Sequence, residues 1–157
     1  MFKFFFVFLL TACFLQAGES TVQFTPPQGW RLAETDKLPK SVLLMAVGQG
    51  ENEMPPSIYL TVEDYRGTLK EYMEIVRQIN AAKGNEWKDL GVIKTQAGNA
   101  SFSQADIASE WGQVRMMHAI LIDNGIVYNL TAAALKSEFP KFYKDFFKTL
   151  RSLEIKT

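Results

Sequence analysis

Apolar and polar positions alternate along this chain with two different periods, and each change of period marks an element. In residues 57–63, Ile58, Leu60 and Val62 alternate with Tyr59, Thr61 and Glu63, the pattern of a strand with one face buried. From Leu69 the period lengthens. Leu69, Tyr72, Met73, Val76 and Ile79 recur at helical spacing, while Lys70, Glu71, Glu74, Arg77 and Gln78 fill the other side. Thr68 and Glu71 frame the start of this helix as a capping box, and Gly84 is placed to close its end. Strand patterns return over 87–96, 100–110, 114–122 and 126–134. Gly98-Asn99, Trp111-Gly112 and Asn124-Gly125 are the expected breaks, the last being the strongest short hairpin signal because both residues accept positive φ.

A second helix is expected behind Ser137 as its cap, with Pro140 in the first turn. Phe139, Phe142, Tyr143, Phe146, Phe147, Leu150 and Leu153 form a broad apolar stripe along it. Burying those rings is worth on the order of 10 kcal/mol before conformational entropy is charged against it. Nearer the N-terminus, 22–25 alternates, Pro26-Pro27-Gln28-Gly29 turns, and 29–33 reads as a short strand. Residues 36–40 read as a loop, 41–48 as a strand buried on both faces, and 48–56 as an acidic loop rich in glycine and proline. Strands, helix, more antiparallel strands and a final helix make an α+β domain, with helices packed on an antiparallel sheet.

Residues 1–17 stand apart from this pattern. Lys3 gives a minimal positive start, and residues 4–10 are an unbroken apolar run, too short to span a bilayer. The segment reads as an export leader, followed by a short polar linker over 18–21 and a single domain over 22–157. Two endings are open. Leu15-Gln16-Ala17 can be a cleavage triplet, and Leu10-Thr11-Ala12-Cys13 resembles a lipobox that would place a lipid on Cys13. The first yields a periplasmic protein and the second a membrane-anchored one.

Composition narrows the function classes. Cys13 is the only cysteine, so a domain beginning at residue 22 has no disulfide and no thiol chemistry. Basic and acidic residues balance at 17 each, and losing Lys3 with the leader leaves 16 against 17. Such a surface has no field to draw it to nucleic acid, and no nucleic-acid partner is expected.

The order of motifs resembles a known superfamily. Phe24-Thr25-Pro26-Pro27-Gln28-Gly29-Trp30 opens the domain, Thr68-Leu69 and Glu71-Tyr72 open its first helix, and Gly125-Ile126-Val127-Tyr128-Asn129-Leu130-Thr131 leads to a last helix ending Leu150-Arg151-Ser152-Leu153. This layout is similar to that of the PsbP, DcrB and Mog proteins. The resemblance implies an α-β-α sandwich with a central antiparallel sheet of about six strands. It implies accessory or binding roles rather than catalysis, and it supplies no catalytic motif to carry over.

Individual residues offer little chemistry. His118 is the only histidine and shares a strand face with Val114, Met116, Ile120 and Ile122. It is a candidate ligand contact, or the pivot of an unrecognised enzyme, against the plainer reading of a core histidine with one hydrogen bond. Asp106 and Glu110 share a strand face and could do acid–base work, but a solvated face accounts for them. Glu51, Glu53, Glu63 and Asp64 lack the ligand spacing of a calcium loop. Trp111, at a strand turn, is the candidate contact for a partner.

No catalytic residue, metal site or cofactor is therefore expected. Two functions compete. One is an exported accessory protein that binds a protein or envelope complex. The other is a small-molecule or lipid-binding module with a pocket between the C-terminal helix and the sheet, and membrane contact only through a lipid on Cys13.

Overall fold

Asn124 and Gly125 take positive φ values of 49° and 73°, and the two-residue turn they make sets the register of the longest hairpin in the chain. The structure is a computed structural model that describes residues 15–17 and 20–157, with side chains described from Thr21 onward. The strands and helices follow in the order β1 Leu15–Ala17, β2 Ser20–Gln23, β3 Arg31–Leu32, β4 Val42–Val47, β5 Ser57–Asp64, α1 Leu69–Ala82 and β6 Glu86–Thr95. Then come β7 Gly98–Ser109, β8 Gly112–Asp123, β9 Ile126–Leu135, α2 Phe139–Arg151 and β10 Glu154–Lys156. Cys13 and most of the expected leader lie outside the described residues.

Seven strands form one antiparallel sheet in the order β3-β4-β5-β9-β8-β7-β6, one more than expected, and β1, β2 and β10 form a small second sheet. Ser20 and Thr21, expected in a linker, belong to β2 and pair with β1. The β6–β7 turn falls at Gln96-Ala97 rather than Gly98-Asn99, because Thr95 Oγ1 accepts from the Ala97 N–H at 3.1 Å and donates to the Gly98 carbonyl at 2.7 Å. β4 is buried only at Leu44 and Ala46, not on both faces, because its outer neighbour β3 is two residues long.

The two helices lie on opposite faces of the large sheet. α2 packs Phe146 and Leu150, both fully buried, against Leu60, Leu130, Met117 and Phe102. Trp30 closes this side, edge-on to Phe142 and Phe146 at 6.2 and 6.0 Å between ring centroids. Ser137 does not cap α2. Glu138 is the N-cap residue, without a side-chain cap, and Pro140 occupies the first turn as expected. Glu138 instead accepts the Glu51 N–H at 2.6 Å and so tethers the exposed acidic loop to the start of α2.

α1 begins with the expected capping box, in which Glu71 N–H donates to Thr68 Oγ1 at 3.2 Å and Thr68 N–H to Glu71 Oε2 at 2.8 Å. It lies over β6 and β7 on the face opposite α2. None of its residues is buried, and Ile75 and Ile79 remain 42% and 49% exposed. The apolar stripe of this helix is therefore only partly spent on the sheet.

Candidate functional site

β6 is the end strand of the sheet, and a bulge sets which of its residues face α1. Trp87 pairs with Ala105 and Asp89 with Ser103, but the register then slips so that Gly91 meets Phe102 and Val92 meets Ser101. The slip places Trp87, Asp89 and Val92 on the α1 side and leaves Ile93 in the core beneath α2. Gly91 makes it feasible with φ at 90°, and its N–H donates to Asp89 Oδ1 at 2.8 Å.

Between this strand and α1 lies a groove of about 680 Å³. Leu69, Met73 and Arg77 form its helical wall, Trp87, Asp89 and Val92 its strand wall, and Asn99, Ala100 and Ser101 of β7 its inner end. The volume is in the range of small-molecule sites, and most of the lining is apolar. Val92, 67% exposed, opens onto solvent. At the rim Arg77 is held by Glu74 through Nε–Oε2 at 2.9 Å, while Lys70 and Asp89 line the groove without an ion pair between them.

Deeper under the same face runs a row of polar residues in register across four strands, Ser103, His118, Thr131 and Tyr59. The Thr131 hydroxyl donates to Asn129 Oδ1 at 3.2 Å, so its oxygen accepts from His118 Nδ1–H at 2.9 Å. That network assigns the Nδ1–H tautomer to a neutral imidazole. Burial drives the His118 pKa down to about 4. Ser103, fully buried beside it, has a hydroxyl without a hydrogen-bond partner, as has the Trp87 indole N–H.

His118 is thus the singly bonded histidine of the plainer reading. It stands on the α1 face of the sheet, yet it does not line the groove. Trp111 is elsewhere, 48% exposed at the β7–β8 turn, where its N–H donates to Ser109 Oγ at 3.2 Å. Asp106 does not lie on a solvated face. Its side chain is 4% exposed and bridges Arg115 at 2.8 Å and Lys136 at 2.9 Å. Those hydrogen bonds, the Arg115 one foremost, hold its pKa at about 2, so it is a fixed anion.

The pocket expected between the C-terminal helix and the sheet is filled by the helix's own Phe139, Phe146 and Leu150. The groove lies under the other helix instead. Among the described residues no three His, Cys, Asp or Glu side chains converge as metal ligands. Sequence reasoning missed Trp87 and Val92 as residues facing one groove. Their shared face depends on the Gly91 bulge, which strict alternation does not show.

Solved structures with the same architecture identify the fold. LpqN of Mycobacterium tuberculosis, described as involved in cell envelope biogenesis, superposes with a TM-score of 0.63 at 16% identity, covering 90% of this chain and 87% of its own. Cyanobacterial PsbP from Synechocystis sp. PCC 6803 superposes with a TM-score of 0.52 at 9% identity, covering 94% of this chain and 99% of its own. The chain has the PsbP-like fold. No protein-family model matches the sequence, and no curated protein matches it. At such identities the likeness carries the PsbP-like fold and nothing of the groove.

Proposed function

We propose that this is an exported, non-enzymatic accessory protein of the bacterial envelope that works by binding, and that the groove between α1 and β6–β7 is where it binds. The observation that carries the reading is the incompletely buried α1, which leaves Leu69 and Met73 facing Trp87 and Val92 across open space. An amphipathic helix normally spends its apolar side on the core, where its stability comes from. A helix that withholds part of that side gives up stability, which occupancy would restore.

Export rests on the leader pattern of residues 1–17, and an envelope role draws on the fold likeness to LpqN. The mature N-terminus decides the compartment: a chain starting at Gly18 is periplasmic, and one starting at an acylated Cys13 is anchored. Among the described residues no helix is long and apolar enough to cross a membrane.

The test is the native mass of the protein purified from its own cells, beside a Met73→Arg variant that puts a charge into the groove. A non-covalent adduct on the wild type that is lost from the variant is expected. A bare wild-type chain, or an adduct that survives Met73→Arg, would contradict the groove as the site.

A second reading, a protein or envelope complex docking at the β7–β8 turn, draws on the exposed Trp111. It requires that Trp111→Ala abolish crosslinking to a partner in the intact envelope.

A further inference from the structure

The groove has two unlike ends. Only residues 83–85 join α1 to β6, so the strand runs back along the helix, and the start of the helix lies over the far part of the strand. Arg77 therefore lies toward Trp87, and Leu69 and Lys70 toward Val92, which pairs with Ser101. Asn99 and Ser101 add polar side chains at that second end. From Leu69 to Arg77 the helical wall is about 12 Å long, at 1.5 Å per residue.

Lys70 is the unmatched charge of the second end. It is the second residue of α1, where the helix dipole disfavours a cation, and among the described residues it forms no ion pair. The acids nearest to it in the helix are engaged elsewhere. Glu74, four residues on and its natural partner, is held by Arg77 and Gln78, and Glu71 accepts the Thr68 N–H at 2.8 Å. Asp89, across the groove, accepts the Gly91 N–H and stands on β6 between Trp87 and Val92.

Resting on the groove as binding site, we propose that its ligand is a long-chain fatty acid, with the carboxylate at Lys70 and the chain along Leu69, Met73 and Val92 toward Trp87. The carboxylate supplies the anion that Lys70 lacks. Lys70 is exposed, so water still reaches both charges and neither has to be stripped of its hydration. The chain covers the apolar surface that α1 leaves open. A volume of about 680 Å³ is that of a small-molecule site and suits one chain rather than the paired chains of a membrane phospholipid.

The test uses three brominated chains of one length: 12-bromododecanoate, its methyl ester and 2-bromododecanoate. Bromine quenches tryptophan at contact range. Trp30 is on the opposite face of the sheet, so in a Trp111→Phe background quenching reports Trp87. 12-Bromododecanoate is expected to quench, because its bromine reaches the Trp87 end. 2-Bromododecanoate is expected to compete with it while quenching little. Lys70→Gln is expected to weaken the acid about fivefold, the upper end for an exposed ion pair, and to leave the ester unchanged. Lys70→Arg is expected to keep the acid's affinity.

An equal effect of Lys70→Gln on acid and ester would overturn the carboxylate head while leaving an apolar groove standing. Stronger quenching by 2-bromododecanoate than by 12-bromododecanoate would put the head at the Trp87 end and overturn its assignment to Lys70. Absence of quenching by all three would overturn the groove as a site for chain-like molecules altogether.

Discussion

His118 and Asp106 both have depressed pKa values, and the same direction of shift has different causes in the two. In His118 burial disfavours the imidazolium, so the folded state refuses a proton that the unfolded chain takes at 6.5. Stability is full above that pH and falls as the pH drops from 6.5 toward about 4, by up to about 3 kcal/mol. Asp106 is held ionised by Arg115 and Lys136, so its contribution is full above 3.8 and is lost as the pH falls toward about 2. Both cations are partly solvated, which limits that contribution to on the order of 1 kcal/mol.

Urea unfolding across pH 7 to 3 should therefore show one decline between 6.5 and 4, and His118→Asn, which keeps a donor for Thr131, should flatten it. A decline of unchanged size in the variant would assign it to other groups. The sequence placed His118 on an inward strand face through its period-two neighbours. It could not place Asp106 in an ion-pair cluster, because Arg115 and Lys136 reach it from β8 and from the turn after β9.

At the scale of elements, the capping box of α1, the Asn124-Gly125 hairpin and the aromatic stripe of α2 were all legible, since each is a local chemical requirement. What stayed hidden were features that depend on a neighbour. Ser137 had the chemistry to cap α2, yet Glu138 takes that position with its carboxylate drawn to the Glu51 amide. The β6 bulge needs only one glycine in a strand of otherwise ordinary pattern. Gly91→Val is expected to destabilise the protein by about 1–2 kcal/mol, since a β-branched residue resists φ of 90°. It should also weaken groove binding by re-aiming Val92. Urea denaturation and the native mass of the adduct would check the two effects, and unchanged values in both would contradict the role given to the bulge.

The whole molecule divides its stability unevenly between the two faces of one sheet. On one side α2 closes a core around Phe146, Leu150 and Tyr128, all fully or almost fully buried. On the other, α1 rests over the end of the sheet without a single buried residue. The fold class was readable because periodicity and turn chemistry determine it. The site was not, because it is made by what the second helix leaves uncovered, and that is a property of packing rather than of any motif. Such a helix should open locally at a lower free energy than α2.

Hydrogen exchange of the backbone amides, measured on the ligand-stripped protein and again after incubation with a lipid extract of its own envelope, tests the binding site directly. The expected result is fast exchange over 69–82 in the stripped protein, slowed by the extract together with 86–95, with α2 and the β7–β8 turn unchanged. Protection at the Trp111 turn instead, or no protection in α1 and β6, would contradict the groove as the place where this protein binds.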